Sequence, residues 1–136
     1  LRADMMKIRI ASVVLAASLF AVPVAAAEYP EIVSGSVERI VDGDGLYLVG
    51  YDHQVRLWGI DAPERGDKGY SEAGAHLGSL TDGYEVQCNQ KDVDQYRRLV
   101  GQCFLPDGTD LGVEMISSGH AIEYCSFSGG FYGTCN

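Results

Sequence analysis

The chain has 136 residues with 10 Lys+Arg against 19 Asp+Glu, a formal charge of −9, and 46% hydrophobic residues. That is enough apolar content for one packed domain and too much for a disordered chain. The excess of acid excludes a protein that holds nucleic acid by bulk positive charge.

The chain opens on a leader. Lys7 and Arg9 precede an apolar run from Ile10 through Val24, and Ala25-Ala26-Ala27 stand before Glu28. This is the layout of a secretory signal with cleavage after Ala27. A membrane-spanning helix needs about 20 apolar residues, and this run is shorter, with Pro23 near its end. Residues 1–27 are therefore expected to be a signal peptide, with 1–4 an upstream extension, and 28–136 one domain. The product would be secreted or periplasmic, without stable membrane association after cleavage. From Glu28 onward there are 7 basic and 18 acidic residues, so removing the leader makes the protein more acidic.

Ile32 to Val41 is rich in β-branched residues and ends at Asp42-Gly43-Asp44-Gly45, a hairpin-type turn. Leu46 to Val49 reads as the return strand, and Gly50 to His53 as a second turn. Gln54 to Ile60 alternates, with Val55, Leu57 and Gly59 on one face and Arg56, Trp58 and Ile60 on the other. These three strands form a meander that Pro63 ends. Ala73, Leu77 and Leu80 predict a helix over Ser71–Leu80. Strands follow at Tyr84–Cys88 and Leu99–Leu105, then the turn Pro106-Asp107-Gly108. Thr109 or Asp110 can cap a helix carrying Leu111, Val113, Met115 and Ile116, and Gly119 lies where a left-handed terminator would. Ser126 to Gly133 reads as a loose tail.

Cys88, Cys103, Cys125 and Cys135 contain no C-x-x-C pair, and His53, His76 and His120 show no zinc spacing. In an oxidising compartment they read as two disulfides. Of three connectivities, Cys88–Cys103 with Cys125–Cys135 is favoured, because the first pair falls on neighbouring strands and the second brackets the tail.

Three clusters hold the candidate chemistry: Asp42-Gly43-Asp44, Arg56 through Glu64, and Asp92 through Arg98. Singly, each reads as turn chemistry or a solvated loop, and neither aspartate run has the ligand spacing of an EF-hand. Together, Val41-Asp-Gly-Asp, Val55-Arg-Leu-x-Gly-Ile-Asp-Ala-Pro-Glu, Asp94-x-Tyr-x-Arg98 and Asp107-Gly occur in one order. In this the chain resembles the staphylococcal nuclease (thermonuclease) family, over roughly Ser34 to Tyr124.

The resemblance implies an α+β OB-fold, a five-stranded barrel with two or three short helices, that hydrolyses phosphodiester bonds of DNA and RNA with Ca²⁺. It implies that Asp44 and Asp61 are metal carboxylates, that Ala62 supplies a carbonyl oxygen, and that Asp42 lies just outside the ligand shell. Glu64 would orient or deprotonate water, Arg56 and Arg98 would hold the scissile phosphate, and Tyr96 would lie near the nucleotide. Cleavage would leave 3′-phosphate ends, and the protein would act as a monomer. These residue types suit the chemistry: Ca²⁺ takes oxygen ligands, and an arginine fork pairs two phosphate oxygens without losing charge.

The chain departs from the family pattern at four points. Gly45 replaces a usual threonine, and Arg97 replaces a glycine. If that glycine serves a positive φ, Arg97 is strained; if not, it adds a cation beside the phosphate. The domain is acidic, and Asn136 falls where relatives commonly continue into a further helix. Because of Gly45 and the acidity, the alternative is a catalytically inactive OB-fold module that binds nucleic acid or protein.

Overall fold

The computed structural model describes residues 9–23 and 28–136. Residues 9–23 form neither helix nor strand and are exposed, while the expected cleavage position after Ala27 lies outside the described residues. Among the described residues, no helix is long and apolar enough to cross a membrane.

Strand β1 (Ile32–Asp42) is eleven residues long, and that length lets it serve two partners. Ile32–Ser36 pairs antiparallel with β5 (Glu85–Val93), while Val37–Asp42 pairs antiparallel with β2 (Gly45–Leu48). Two register shifts in the second half bend β1 between its partners, as bulges do. Strand β3 (Val55–Leu57) continues the meander from β2 and pairs parallel with β6 (Leu99–Phe104). Since β6 also pairs with β5, the order β1-β2-β3-β6-β5 closes into a barrel, the OB-fold. A separate pair, β4 (Ile60–Asp61) with β7 (Ile122–Glu123), lies outside it.

The core follows from the period of two: Leu46, Leu48, Val55, Leu57, Val86 and Leu99 are buried. Helix α1 (Tyr70–Thr81) adds Ala73 and Leu77 from one face, and α2 (Leu111–Ser117) adds Leu111 and Met115. Burying one such leucine contributes about 1.5–3 kcal/mol. Asp110 caps α2 by accepting from the Gly112 N–H at 2.8 Å, a contact worth about 1 kcal/mol. Cys88 and Cys103 face each other across β5 and β6 and form a buried disulfide, and Cys125 pairs with Cys135.

Three expectations need correction. The alternation predicted over Gln54–Ile60 stops at Gly59, whose φ of +75° turns the chain and sends Ile60 into the core instead of outward with Arg56. Strand β5 does not end at Cys88 but continues to Val93, because Asn89 through Val93 find ladder partners on Leu99–Gln102. The tail is not loose. It forms helix α3 (Cys125–Ser128) and then folds over the buried carboxylate of Glu123. That group accepts from Ser128 Oγ at 2.5 Å, Tyr132 N–H at 3.0 Å, Thr134 N–H at 2.8 Å and Thr134 Oγ1 at 2.9 Å. Burial opposes its charge, but these donors outweigh that cost and hold the Glu123 carboxyl down at about 2, from 4.5.

Candidate active site

The β1–β2 turn brings Asp44 inward because residue 43 is glycine. A Cβ there would stand 2.6 Å from Ala73 Cβ and 2.7 Å from Ala62 Cβ, so only glycine lets the turn pack between α1 and the end of β4. Asp44 is 3% exposed, and its Oδ2 accepts from the Ala62 N–H at 2.8 Å. Asp42 Oδ1 accepts from the Asp44 N–H at 3.1 Å, so Asp42 shapes the turn.

Arg56 projects from β3 toward the same turn. Its Nη2 lies 3.4 Å from Asp44 Oδ2 and 3.7 Å from Asp61 Oδ1, and Nη1 donates to the Leu57 carbonyl at 2.7 Å. Burial pushes the Asp44 carboxyl up from 3.8 to about 7, against the pull of Arg56 and the Ala62 N–H, with Asp42 adding to the rise. The acidic corner is thus short of positive charge. Asp61 is half-exposed on β4 beside the same guanidinium, and Pro63 frees the chain so that Glu64 reaches solvent in the cleft. Among the described residues, the Glu64 carboxylate has no ion-pair partner.

Arg98 is set by Asp94. Asp94 Oδ1 accepts from the N–H groups of Tyr96 and Arg98, both at 2.9 Å, and Oδ2 accepts from Arg98 Nε at 2.6 Å. Burial works against the Asp94 charge, but these bonds win and hold its carboxyl below the ordinary carboxylate value. With Nε taken, the terminal nitrogens of Arg98 remain for an anion. Its guanidinium carbon lies 5.3 Å from the Tyr96 ring centroid.

One cleft of about 810 Å³ collects Asp42, Asp44, Arg56, Asp61, Glu64, Tyr96 and Arg98. Ala62 is buried behind it, joined to Asp44 by its N–H. The four cysteines take no part. Sequence reasoning left out Asp94 as the residue that orients Arg98, and also Trp58, Lys91, Tyr124 and Phe127, which line the same cleft. Trp58 was within reach, since the alternation already set it on the face of Arg56. Tyr124 and Phe127 were not, because the tail carries no periodicity to place them.

Both point departures have a structural outcome. A Cβ at Gly45 would stand 2.5 Å from Gln54 Nε2 and 3.0 Å from Asp42 Oδ1, so the Gln54 amide fills the room a larger side chain would take. Arg97 adopts φ +62°, the left-handed conformation that suits glycine. Its guanidinium pairs with the Glu28 carboxylate, and Arg97 lines an adjoining cavity with Glu64, Tyr96 and Arg98 rather than the cleft that holds Asp44.

The donors around Asp44 suit a hard cation. Asp44 and Asp61 offer carboxylate oxygens beside the Ala62 backbone, no imidazole or thiolate lines the cleft, and the buried charge of Asp44 is under-compensated. Among the described residues, the group of three metal-type ligands within mutual reach is Glu123, Cys125 and Cys135, and its thiols are locked in a disulfide.

The cleft of this OB-fold barrel sets two oriented arginines against a buried carboxylate corner. Residues 54–131 match the model of the Staphylococcal nuclease homologue family, and the chain belongs to that family. It is 38% identical over 100 residues to a micrococcal nuclease of Shigella flexneri, covering 66% of this chain and 58% of the relative. It is 34% identical over 130 residues to the succinoglycan biosynthesis protein ExoI of Rhizobium meliloti, covering 88% and 65%. An uncharacterized endonuclease of Escherichia coli O157:H7 is 31% identical over 108 residues, covering 78% and 68%. The chain thus spans 58 to 65% of the length of the first two relatives.

Proposed function

We propose that the chain is an exported, Ca²⁺-dependent nuclease that hydrolyses phosphodiester bonds of DNA and RNA. The observation that carries this reading is the cleft itself, in which Arg56, the Asp94-held Arg98 and Glu64 face one space beside the Asp44–Asp61 corner. Family membership and the nuclease names of the relatives support the reaction class. The apolar leader with its small-residue end supports export.

The roles follow from position and chemistry. Arg98 offers its free terminal nitrogens to the non-bridging oxygens of the scissile phosphate, and Arg56 approaches from the acidic side. Attack by water concentrates negative charge on those oxygens, and cations already held in place stabilise that charge without reorganising. Glu64 is exposed and without an ion-pair partner among the described residues. It orients the attacking water and takes its proton at a carboxylate oxygen as the new P–O bond forms, an effect worth about 10²–10⁴-fold. The P–O5′ bond breaks, and the departing 5′ oxygen takes a proton from solvent. Asp44, Asp61 and the Ala62 backbone would hold Ca²⁺, which supplies charge neutralisation next to the phosphate. Tyr96 flanks the phosphate site under Arg98.

The test is digestion of plasmid and single-stranded DNA and of RNA by the oxidised 28–136 protein with Ca²⁺, with Mg²⁺ and with chelator, alongside Glu64→Gln. The expected result is cutting that needs Ca²⁺ and falls at least about a hundredfold in the variant. A folded protein that cuts nothing at any Ca²⁺ concentration overturns the reading and leaves a binding module. Full activity in Glu64→Gln overturns the role of that residue.

A further inference from the structure

From Glu28 onward only seven cations stand against eighteen acids, so the disposition of each cation on the cleft wall matters. Arg56 lies among Asp44 and Asp61, and Arg98 is held by Asp94. Lys91 also lines the cleft, and among the described residues no carboxylate lies within ion-pair distance of it.

Its position is built by the backbone. The β5–β6 register passes from Gln90↔Gly101 to Asp92↔Val100, which makes Lys91 the extra residue of a β-bulge. Bulges re-aim a side chain that regular pleating would point elsewhere. The Gly101 carbonyl, opposite the bulge, accepts from the Trp58 N–H at 2.8 Å, which seats Trp58 beside it. Lys91 Nζ consequently sits 5.1 Å from the centroid of the Trp58 ring. Phe131 at 5.4 Å and Tyr132 at 5.8 Å also meet the Trp58 ring at steep angles, brought there by the tail that folds over Glu123. A cation–π contact at an exposed site is weak, and a lysine resting on one is free to exchange it for a phosphate.

The geometry points to a second strand-binding subsite in the cleft. Lys91 takes a backbone phosphate of a single-stranded polynucleotide, away from the phosphate held by Arg98. The Trp58 face that Lys91 vacates receives the neighbouring unpaired base, as aromatic side chains do on strand-binding OB-folds. The identity of the strand rests on the nuclease reading; the Lys91–Trp58 pair itself does not. The subsite gives an acidic protein a grip on substrate that extends beyond one phosphodiester, and it favours single strands over duplex because a paired base has no free face.

Trp58 is the only tryptophan beside eight tyrosines, so fluorescence excited selectively in tryptophan reports this site alone. In the oxidised protein with Ca²⁺, kcat/KM is measured for a thymidine dinucleotide and an eight-nucleotide thymidine oligomer across a range of NaCl. Lys91→Gln is expected to cut the preference for the longer substrate about fivefold and to reduce its salt slope by about 0.7, the loss of one phosphate contact, with Lys91→Arg restoring both. In parallel, the longer oligomer is titrated into Glu64→Gln protein. It should quench Trp58 saturably, and the Lys91→Gln change should weaken that binding about fivefold. An unchanged length preference and salt slope, or a titration without quenching, overturns the subsite. If neither substrate is cut, the nuclease reading fails on its own and the fluorescence titration still decides the subsite.

Discussion

Two buried carboxylates divide this molecule. Asp44, in the β1–β2 turn, and Glu123, under the tail, are 3% and 6% exposed, yet burial lifts one to about 7 while the other is held at about 2. The difference lies in the donors each receives. Glu123 collects two N–H groups and two hydroxyls, so its charge is fully met by the fold. Asp44 receives one N–H and a guanidinium at 3.4 Å that it shares with Asp61. Glu123 is saturated with hydrogen bonds as part of the fold, whereas Asp44 is left with capacity for a further donor or a cation.

The largest expected effect is at Asp44. Asp44→Asn keeps the shape and removes the under-compensated charge. The Ca²⁺ needed for half-maximal cutting should rise at least about tenfold, a weakening on the scale of a lost ligand contact. The melting temperature in chelator at pH 8 should stay level or increase. A large fall in melting temperature with unchanged Ca²⁺ dependence would show that Asp44 serves the fold and not a cation.

Next comes the acid limb of stability. Glu123 has a folded value below its ordinary 4.5, so its contribution is complete above that pH and is lost as pH falls through the window toward about 2. Asp44 has the opposite sign, because its penalty grows as pH rises from 3.8 through about 7. Thermal melting between pH 2 and 8 should therefore show a steep acid limb that Glu123→Gln flattens, along with a lower plateau near neutrality. An acid limb identical in both proteins would remove Glu123 from its place in the comparison.

The smallest effect is expected at Arg97. Its left-handed φ is unfavourable for a residue with a Cβ, and its exposed pair with Glu28 is screened by solvent and returns little. Arg97→Gly should leave the melting temperature within a few degrees of the parent, displaced upward. A fall would mean that the Glu28 contact matters more than the backbone.

Much of the barrel was legible because its strands obey a period of two and its turns are marked by Gly, Asp and Pro. The same pattern brought most of the candidate site with it: Asp44 lies in a turn, Arg56 in the middle of a short strand, and Asp61 and Arg98 at or beside strand ends. The misreadings have two causes. Ile60 is buried because its neighbour Gly59 turns the chain locally. Asn89–Val93 are strand because β6 lies alongside, and the tail is ordered because it folds over Glu123; in these two a long-range partner overrides the local pattern.

By itself, the sequence determined the meander, the two helices that carry Leu77 and Met115, the family, and the residue types that a phosphate site needs. These depend on local periodicity and on short motifs whose spacing is covalent. Only the tertiary structure decided which donors Asp44 and Glu123 receive, that Arg97 faces Glu28 instead of the cleft, and that a bulge sets Lys91 against Trp58. Such outcomes depend on which distant segments arrive beside a side chain, and a carboxylate or a lysine has the same identity in the sequence whether it arrives among four donors or none.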